Sequence, residues 1–114
     1  MEGVKIRHKI WVEDEKGKQI LGEGLIRILE MIEKHGSIVG AAKELRMSYR
    51  ACWGKIKEME RRFGKSLIEP HVGGGKNRGT LLTTEARKLL RQFHLFQEEV
   101  SEKTESLFRL YFPD

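Results

Sequence analysis

The chain has 114 residues, 39% hydrophobic and 34% charged, which fits one compact domain around one core. No stretch approaches the roughly 20 apolar residues that span a bilayer, and the N-terminus lacks the apolar run of a secretion signal, so no membrane partner and a cytoplasmic location are expected. Cys52 is the single cysteine and has no Cys or His neighbour at zinc-ligand spacing, which excludes an internal disulfide and gives no sign of a metal or cofactor, while a net charge of +5 is modest for a nucleic-acid binder, so its distribution matters more than its total.

Val4, Ile6, Ile10 and Val12 share one parity, with Arg7 and Lys9 on the other, so the chain begins like a half-buried strand. Residues 13–18 form a turn, and Gln19 to Leu21 return as a short antiparallel partner, giving an N-terminal hairpin over 1–21. From Gly24 the pattern becomes helical, with Leu25, Ile28, Leu29 and Ile32 at steps of three and four and a stop at His35 and Gly36. Ser37 can cap a short second helix whose inner face is Ala41, Ala42 and Leu45; Ser48 can cap a third carrying Cys52, Ile56, Met59 and Phe63, ended by Gly64. These helices occupy 24–65. A wing is expected over 66–83: Leu67 and Ile68 begin a strand, residues 71–79 read as a glycine-rich loop, and residues 80–83 resume as strand. Thr84 is the last N-cap candidate, and 84–112 read as one long helix closed by Pro113. The fold class is therefore mainly α with small β-hairpins.

On the last helix Ala86, Phe93, Val100 and Leu107 are spaced by seven, and Leu89, Phe96 and Leu110 fill the intermediate positions, with Lys103 breaking the series. Such a seam leaves phenylalanines in water unless it is covered. A homodimer through Leu89, Phe93, Phe96, Val100, Leu107 and Leu110 is the favoured cover, and the first helix and N-terminal hairpin of the same chain are the alternative.

Charge points to the middle of the chain. Residues 1–39 hold 7 basic and 7 acidic side chains, residues 81–114 hold 5 and 6, and residues 40–80 hold 10 and 4, so the excess positive charge lies in the middle segment, where a polyanion would bind. Small Ala41 and Ala42 let the second and third helices cross closely, as a helix-turn-helix requires. On the third helix Tyr49, Arg50, Trp53, Gly54 and Lys57 face away from the apolar positions. Arginine pairs bidentately with guanine and aromatic rings pack on thymine methyls, which suits this stripe to base reading; a Trp53 buried against the wing or first helix is the competing placement. Ser48 and Tyr49 present free N–H groups to a phosphate. Lys76 and Arg78 on the wing, with Arg61, Arg62 and Lys65, are expected phosphate contacts. Gly75 and Lys76 superficially suggest a nucleotide-binding loop, but Asn77 follows where Ser or Thr is needed.

The combination of Gly36, Ser37 and Ile38 with Ala41 and Ala42, residues 48–53 (SYRACW) with Ile56 and Met59, Gly73 to Gly75, and Leu82 with Thr83 resembles the winged helix of LysR-type regulators, and more closely the DNA-binding domain of the ModE-type, molybdate-responsive regulators. The resemblance covers residues 36–90. It implies a winged helix-turn-helix with a long C-terminal dimerisation helix, recognition of double-stranded DNA by the helix from Ser48 to Lys57, and pairing through the flanking helices. ModE-type regulators continue into molybdate-binding domains for which a sequence ending at Asp114 leaves no room, so no molybdate ligand is assigned. Any oxyanion sensing must then involve a separate effector-sensing protein or an unforeseen site. His8, His35, His71 and His94 are scattered with no nucleophile or base placed beside them, so no enzyme is expected. A protein-interaction module and a non-specific architectural DNA binder are the competing functions.

Overall fold

A computed structural model describes residues 2–72 and 78–113. The elements run β1 (Trp11–Glu13), β2 (Gln19–Gly22), α1 (Glu23–His35), α2 (Ile38–Glu44), α3 (Tyr49–Phe63), β3 (Ile68–Val72), β4 (Arg78–Leu82) and α4 (Thr84–Tyr111). Two antiparallel hairpins, β1–β2 and β3–β4, flank a helical core, and the expected winged helix-turn-helix architecture is present.

The N-terminal strand is shorter than its alternation suggests. Strand pairing is confined to Trp11–Glu13, opposite Gln19–Gly22 with an irregularity between Val12 and Glu13. Residues 4–10 form no ladder, and Val4 and Ile6 are exposed. Alternation supplies the side chains of a strand, but a strand also needs an edge to pair with, and β2 ends opposite Trp11. At the hairpin turn Asp14 accepts from the backbone N–H groups of Lys16 and Lys18, each at 2.9 Å, which closes the polar loop locally.

Helix α1 buries Leu25, Ile26, Ile28, Leu29 and Ile32 and forms the centre of the core. It stops at Gly36, whose φ of 70° places it in the left-handed region, which glycine adopts at the least strain. Ser37 then caps α2 by accepting from the Gly40 N–H at 2.9 Å, and Ser48 caps α3 by accepting from the Ala51 N–H at 3.0 Å. Between them, the Met47 N–H reaches the Ala42 carbonyl at 3.0 Å and the Arg46 N–H reaches Lys43 at 3.2 Å. That is the pair of hydrogen bonds of a Schellman turn, with Arg46 at φ 55° in the position usually held by glycine. Met47 folds back onto the core as the turn demands.

The wing also differs from expectation. His71 and Val72 extend β3, and Arg78 and Gly79 begin β4, in register His71 opposite Gly79 and Val72 opposite Arg78. Antiparallel pairing thus reaches further toward the tip than glycine content implies. Residues 73–77, including Lys76, lie outside the described residues. On its β4 side the wing is bonded to the end of α1: the Thr80 N–H donates to the Gly36 carbonyl at 2.8 Å. A Cβ on Gly79 would lie 2.2 Å from that same oxygen, so glycine is required there by close approach.

Helix α4 is capped by Thr83 rather than Thr84. The Thr83 hydroxyl accepts from the Ala86 N–H at 3.1 Å and donates to the Ser66 carbonyl at 2.8 Å, an additional bond that fixes this residue as the cap. Ala86, Leu90 and Phe93 enter the core. Beyond them the helix runs past the rest of the protein, giving the chain a longest dimension of 61 Å, and the N-terminal segment passes alongside, leaving a cavity of about 440 Å³ lined in part by Val4, Ile6, His8 and Phe108.

Candidate nucleic-acid interface

The outer face of α3 is set by its inner one. Cys52, Ile56 and Met59 are buried at helical spacing, which turns Tyr49, Arg50, Trp53 and Gly54 outward. Tyr49 is 51% exposed and Trp53 43% exposed, so Trp53 stands in solvent rather than against the wing or α1. Gly54 carries no side chain, and a Cβ built on it would meet nothing within 4 Å. Cys52 behind this face is fully buried, and burial pushes its thiol up from the ordinary cysteine range, which leaves it a packing residue.

The positively charged candidates divide sharply. No ion pair among the described residues holds Arg50, which is exposed. Lys57 is half-covered: its ammonium lies 5.6 Å from the Trp53 ring centroid and 3.0 Å from Glu60 Oε1. Glu60 is only 13% exposed and its Oε2 accepts from the Leu67 N–H at 2.7 Å and the Ile68 N–H at 3.4 Å. Burial pushes the Glu60 carboxyl up, but the Leu67 N–H, the Lys57 ammonium and the Ile68 N–H together outweigh it and hold the group below the usual carboxylate range.

Three expected phosphate contacts are engaged with carboxylates. Arg62 is 20% exposed and bonds Asp14 at 3.1 Å and Glu58 at 3.2 Å. It ties the first hairpin turn to α3 and is not presented to a ligand, so the expectation for Arg62 is corrected. Arg61 remains exposed while pairing with Glu58, and Lys65 pairs with Glu85 at 3.4 Å near the start of α4. Ser48 uses its hydroxyl as the α3 cap. The Arg78 backbone begins β4.

Lys55, one residue past Gly54, is exposed and held by no ion pair among the described residues. It lies off the stripe of Arg50, Trp53 and Lys57, so the spacing of that stripe does not reach it. Helical geometry could have found it: Lys55 stands next to Gly54 and four residues after Ala51, which is also exposed. Arg46 and Lys43, in and before the turn, are exposed in the same way.

The α4 seam is split by the fold. Phe93 is 5% exposed and belongs to the chain's own core, so it is removed from the expected subunit contact. Leu89 and Val100 are partly covered, whereas Phe96 (55%), Leu107 (54%) and Leu110 (68%) face solvent.

A model of the bacterial regulatory helix-turn-helix protein, lysR family, matches residues 24–87. The transcriptional regulator ModE of Haemophilus influenzae is 36% identical over 72 residues, covering 63% of this chain and 28% of that protein. The molybdenum transport protein ModE of Azotobacter vinelandii is 35% identical over 79 residues, 69% of this chain and 29% of that protein. The chain thus spans less than a third of the length of these relatives. Among solved structures the CbnR DBD–DNA complex aligns with 80% of this chain and 99% of its own at a TM-score of 0.60 and 18% identity, a likeness of fold. The family match runs from the first turn of α1 through the helix-turn-helix and wing into the first turn of α4, and the chain belongs to the lysR family of bacterial regulatory helix-turn-helix proteins.

Proposed function

We propose that this chain is a sequence-specific, double-stranded-DNA-binding transcription regulator that works as a homodimer, with residues 1–114 acting as one domain. The observation that carries the reading is the outward face of α3, where Tyr49, Arg50, Trp53 and Gly54 stand in solvent on the second helix of a helix-turn-helix, Arg50 held by no ion pair among the described residues. Arg50 is the principal base reader, suited to guanine O6 and N7, and Tyr49 and Trp53 pack on thymine methyls or sugars. Lys55 and Arg61, with Lys65 and the wing residues Lys76 and Arg78, meet phosphates and supply affinity without sequence preference. ModE named as a transcriptional regulator among the relatives supports the regulatory role.

The dimer reading is supported by Phe96, Leu107 and Leu110, whose exposure on one side of α4 makes an apolar strip that a second copy would cover. Two α3 helices then enter successive major grooves, with half-site centres about 34 Å apart or a multiple of it. No effector is assigned.

The test is selection of bound duplexes from a randomised pool at near-physiological salt. A two-fold symmetric motif is the expected result. Retention without any motif would favour an architectural binder, absence of retention would favour a protein-interaction module, and a monomer at micromolar concentration would remove the dimer.

A further inference from the structure

We propose that Glu60 is a positioning residue for the α3 reading face, its carboxylate holding the Lys57 ammonium over the Trp53 ring while fixing the first strand of the wing to the same helix. This rests on the DNA-binding reading above and assigns the mechanism by which that face is kept in one arrangement.

Three links form the chain of contacts. The Lys57 ammonium sits 5.6 Å from the Trp53 centroid and 3.0 Å from Glu60 Oε1. Glu60 Oε2 in turn accepts from the Leu67 N–H at 2.7 Å and the Ile68 N–H at 3.4 Å, where β3 begins. The two ends of this relay differ in freedom. Glu60 is 13% exposed and held by backbone donors, whereas Lys57 is a flexible four-carbon stem at the surface. The carboxylate therefore determines where the ammonium stays, and the ammonium over the ring restrains the exposed indole.

Two consequences follow for binding. Lys57 contributes little to sequence-independent phosphate attraction, because its charge is matched by a carboxylate that cannot move aside with it. Its role is to present Trp53 in one orientation, which sharpens discrimination between bases. A lysine that served as a phosphate anchor would do the reverse, adding affinity for every duplex equally.

Glu60→Gln separates these roles, since the amide oxygen can still accept from Leu67 while the charge opposite Lys57 is lost. On a random-sequence duplex the slope of log K against log salt should steepen by about 0.9 per bound protomer as Lys57 is released to phosphate. The preference for the duplex enriched by the parent protein over the random one should fall about 3- to 10-fold, corresponding to roughly 1 kcal/mol. Lys57→Met gives the second arm and keeps the test open if Glu60→Gln does not fold. It should lose a similar share of the preference with the salt slope unchanged from the parent. A slope that flattens by about 0.9 in Lys57→Met would overturn the proposal by making Lys57 a phosphate anchor. So would a Glu60→Gln protein whose slope and preference match the parent, or one that loses affinity for both duplexes in parallel with its melting temperature. A parent protein that binds no duplex at all would overturn the DNA-binding reading and this inference with it; the other failures overturn the inference alone.

Discussion

Replacing Gly79 with alanine tests the contact that seats β4 against the end of α1. The new Cβ would lie 2.2 Å from the Gly36 carbonyl oxygen, whereas an ordinary carbon–oxygen approach is about 3.3 Å or more, so β4 must withdraw by roughly 1 Å. The Thr80 N–H donates to that same oxygen at 2.8 Å, and a withdrawal of this size stretches the bond beyond hydrogen-bonding range. Loss of the bond costs about 1 kcal/mol, and residual crowding adds about 1–2 kcal/mol. For a domain of this size the sum lowers the melting temperature by roughly 8–12 °C, read by far-ultraviolet circular dichroism on heating. Gly79→Ala melting within about 2 °C of the parent would show that the wing does not press on Gly36, and the account of its seating would fail.

Gly54→Ala is the opposite case: nothing lies within 4 Å of its Cβ, so the helix should gain up to about 1 kcal/mol in thermal stability while affinity for the selected duplex falls. Ser48→Ala should destabilise the protein by about 1 kcal/mol through loss of the α3 cap, whereas Ser48→Asp should retain the cap and melt near the parent but bind duplex more weakly, a split read by melting and fluorescence-anisotropy titration. Phe93→Ala should cost about 3–5 kcal/mol in folding, while Phe96→Ala should leave chemical denaturation of the monomer nearly unchanged and shift sedimentation toward the monomer. Asp14, Glu44, Glu58 and Glu60 all have carboxyls held below their ordinary range; with folded pKa values below unfolded ones, their stabilisation is complete above about pH 5 and is lost as pH falls through the lowered folded values. Melting temperature followed from pH 7 downward should therefore decline in acid, and Glu60→Gln should flatten part of that decline; a parent curve without an acid decline would contradict these shifts.

Local signals were most legible where one residue type answers one backbone need. Gly36 and Gly64 end α1 and α3 with φ near 70°, and Ser37 and Ser48 cap the helices they precede, because helix ends leave unsatisfied groups that few side chains serve well. The turn between α2 and α3 was harder: its left-handed residue is Arg46, and no glycine marks the place. Residue type pointed to Thr84 as the α4 cap, but its neighbour Thr83 takes the role, bonded to the Ala86 N–H and across the chain to the Ser66 carbonyl. The N-terminal alternation misled for a related reason, since pairing depends on where the partner strand ends. Heptad spacing on α4 likewise registered apolar side chains without distinguishing which partner they face: Phe93 packs within its own chain, and Phe96, one turn further, does not.

The charge pattern shows the same division more consequentially. Counting located the basic segment, yet the count treats Arg62 and Arg50 as equals. Arg62 is placed against Asp14, 48 residues away, and Glu58 on its own helix, so its charge holds the first hairpin turn to α3. Arg50 sits at the N-terminal end of that helix and is held by no ion pair among the described residues, and Lys55 is exposed further along it. Acidic residues in α3 begin only at Glu58, one helical turn after Gly54, and there they take up Lys57, Arg61 and Arg62. The first half of the helix therefore carries the unmatched charge and the exposed aromatics, while the second half is fastened to the hairpin and the wing. A helix arranged in this way can enter a groove at its N-terminal end without dissolving the contacts that orient it, and that separation along one helix is the physical basis for assigning base reading to Tyr49, Arg50 and Trp53.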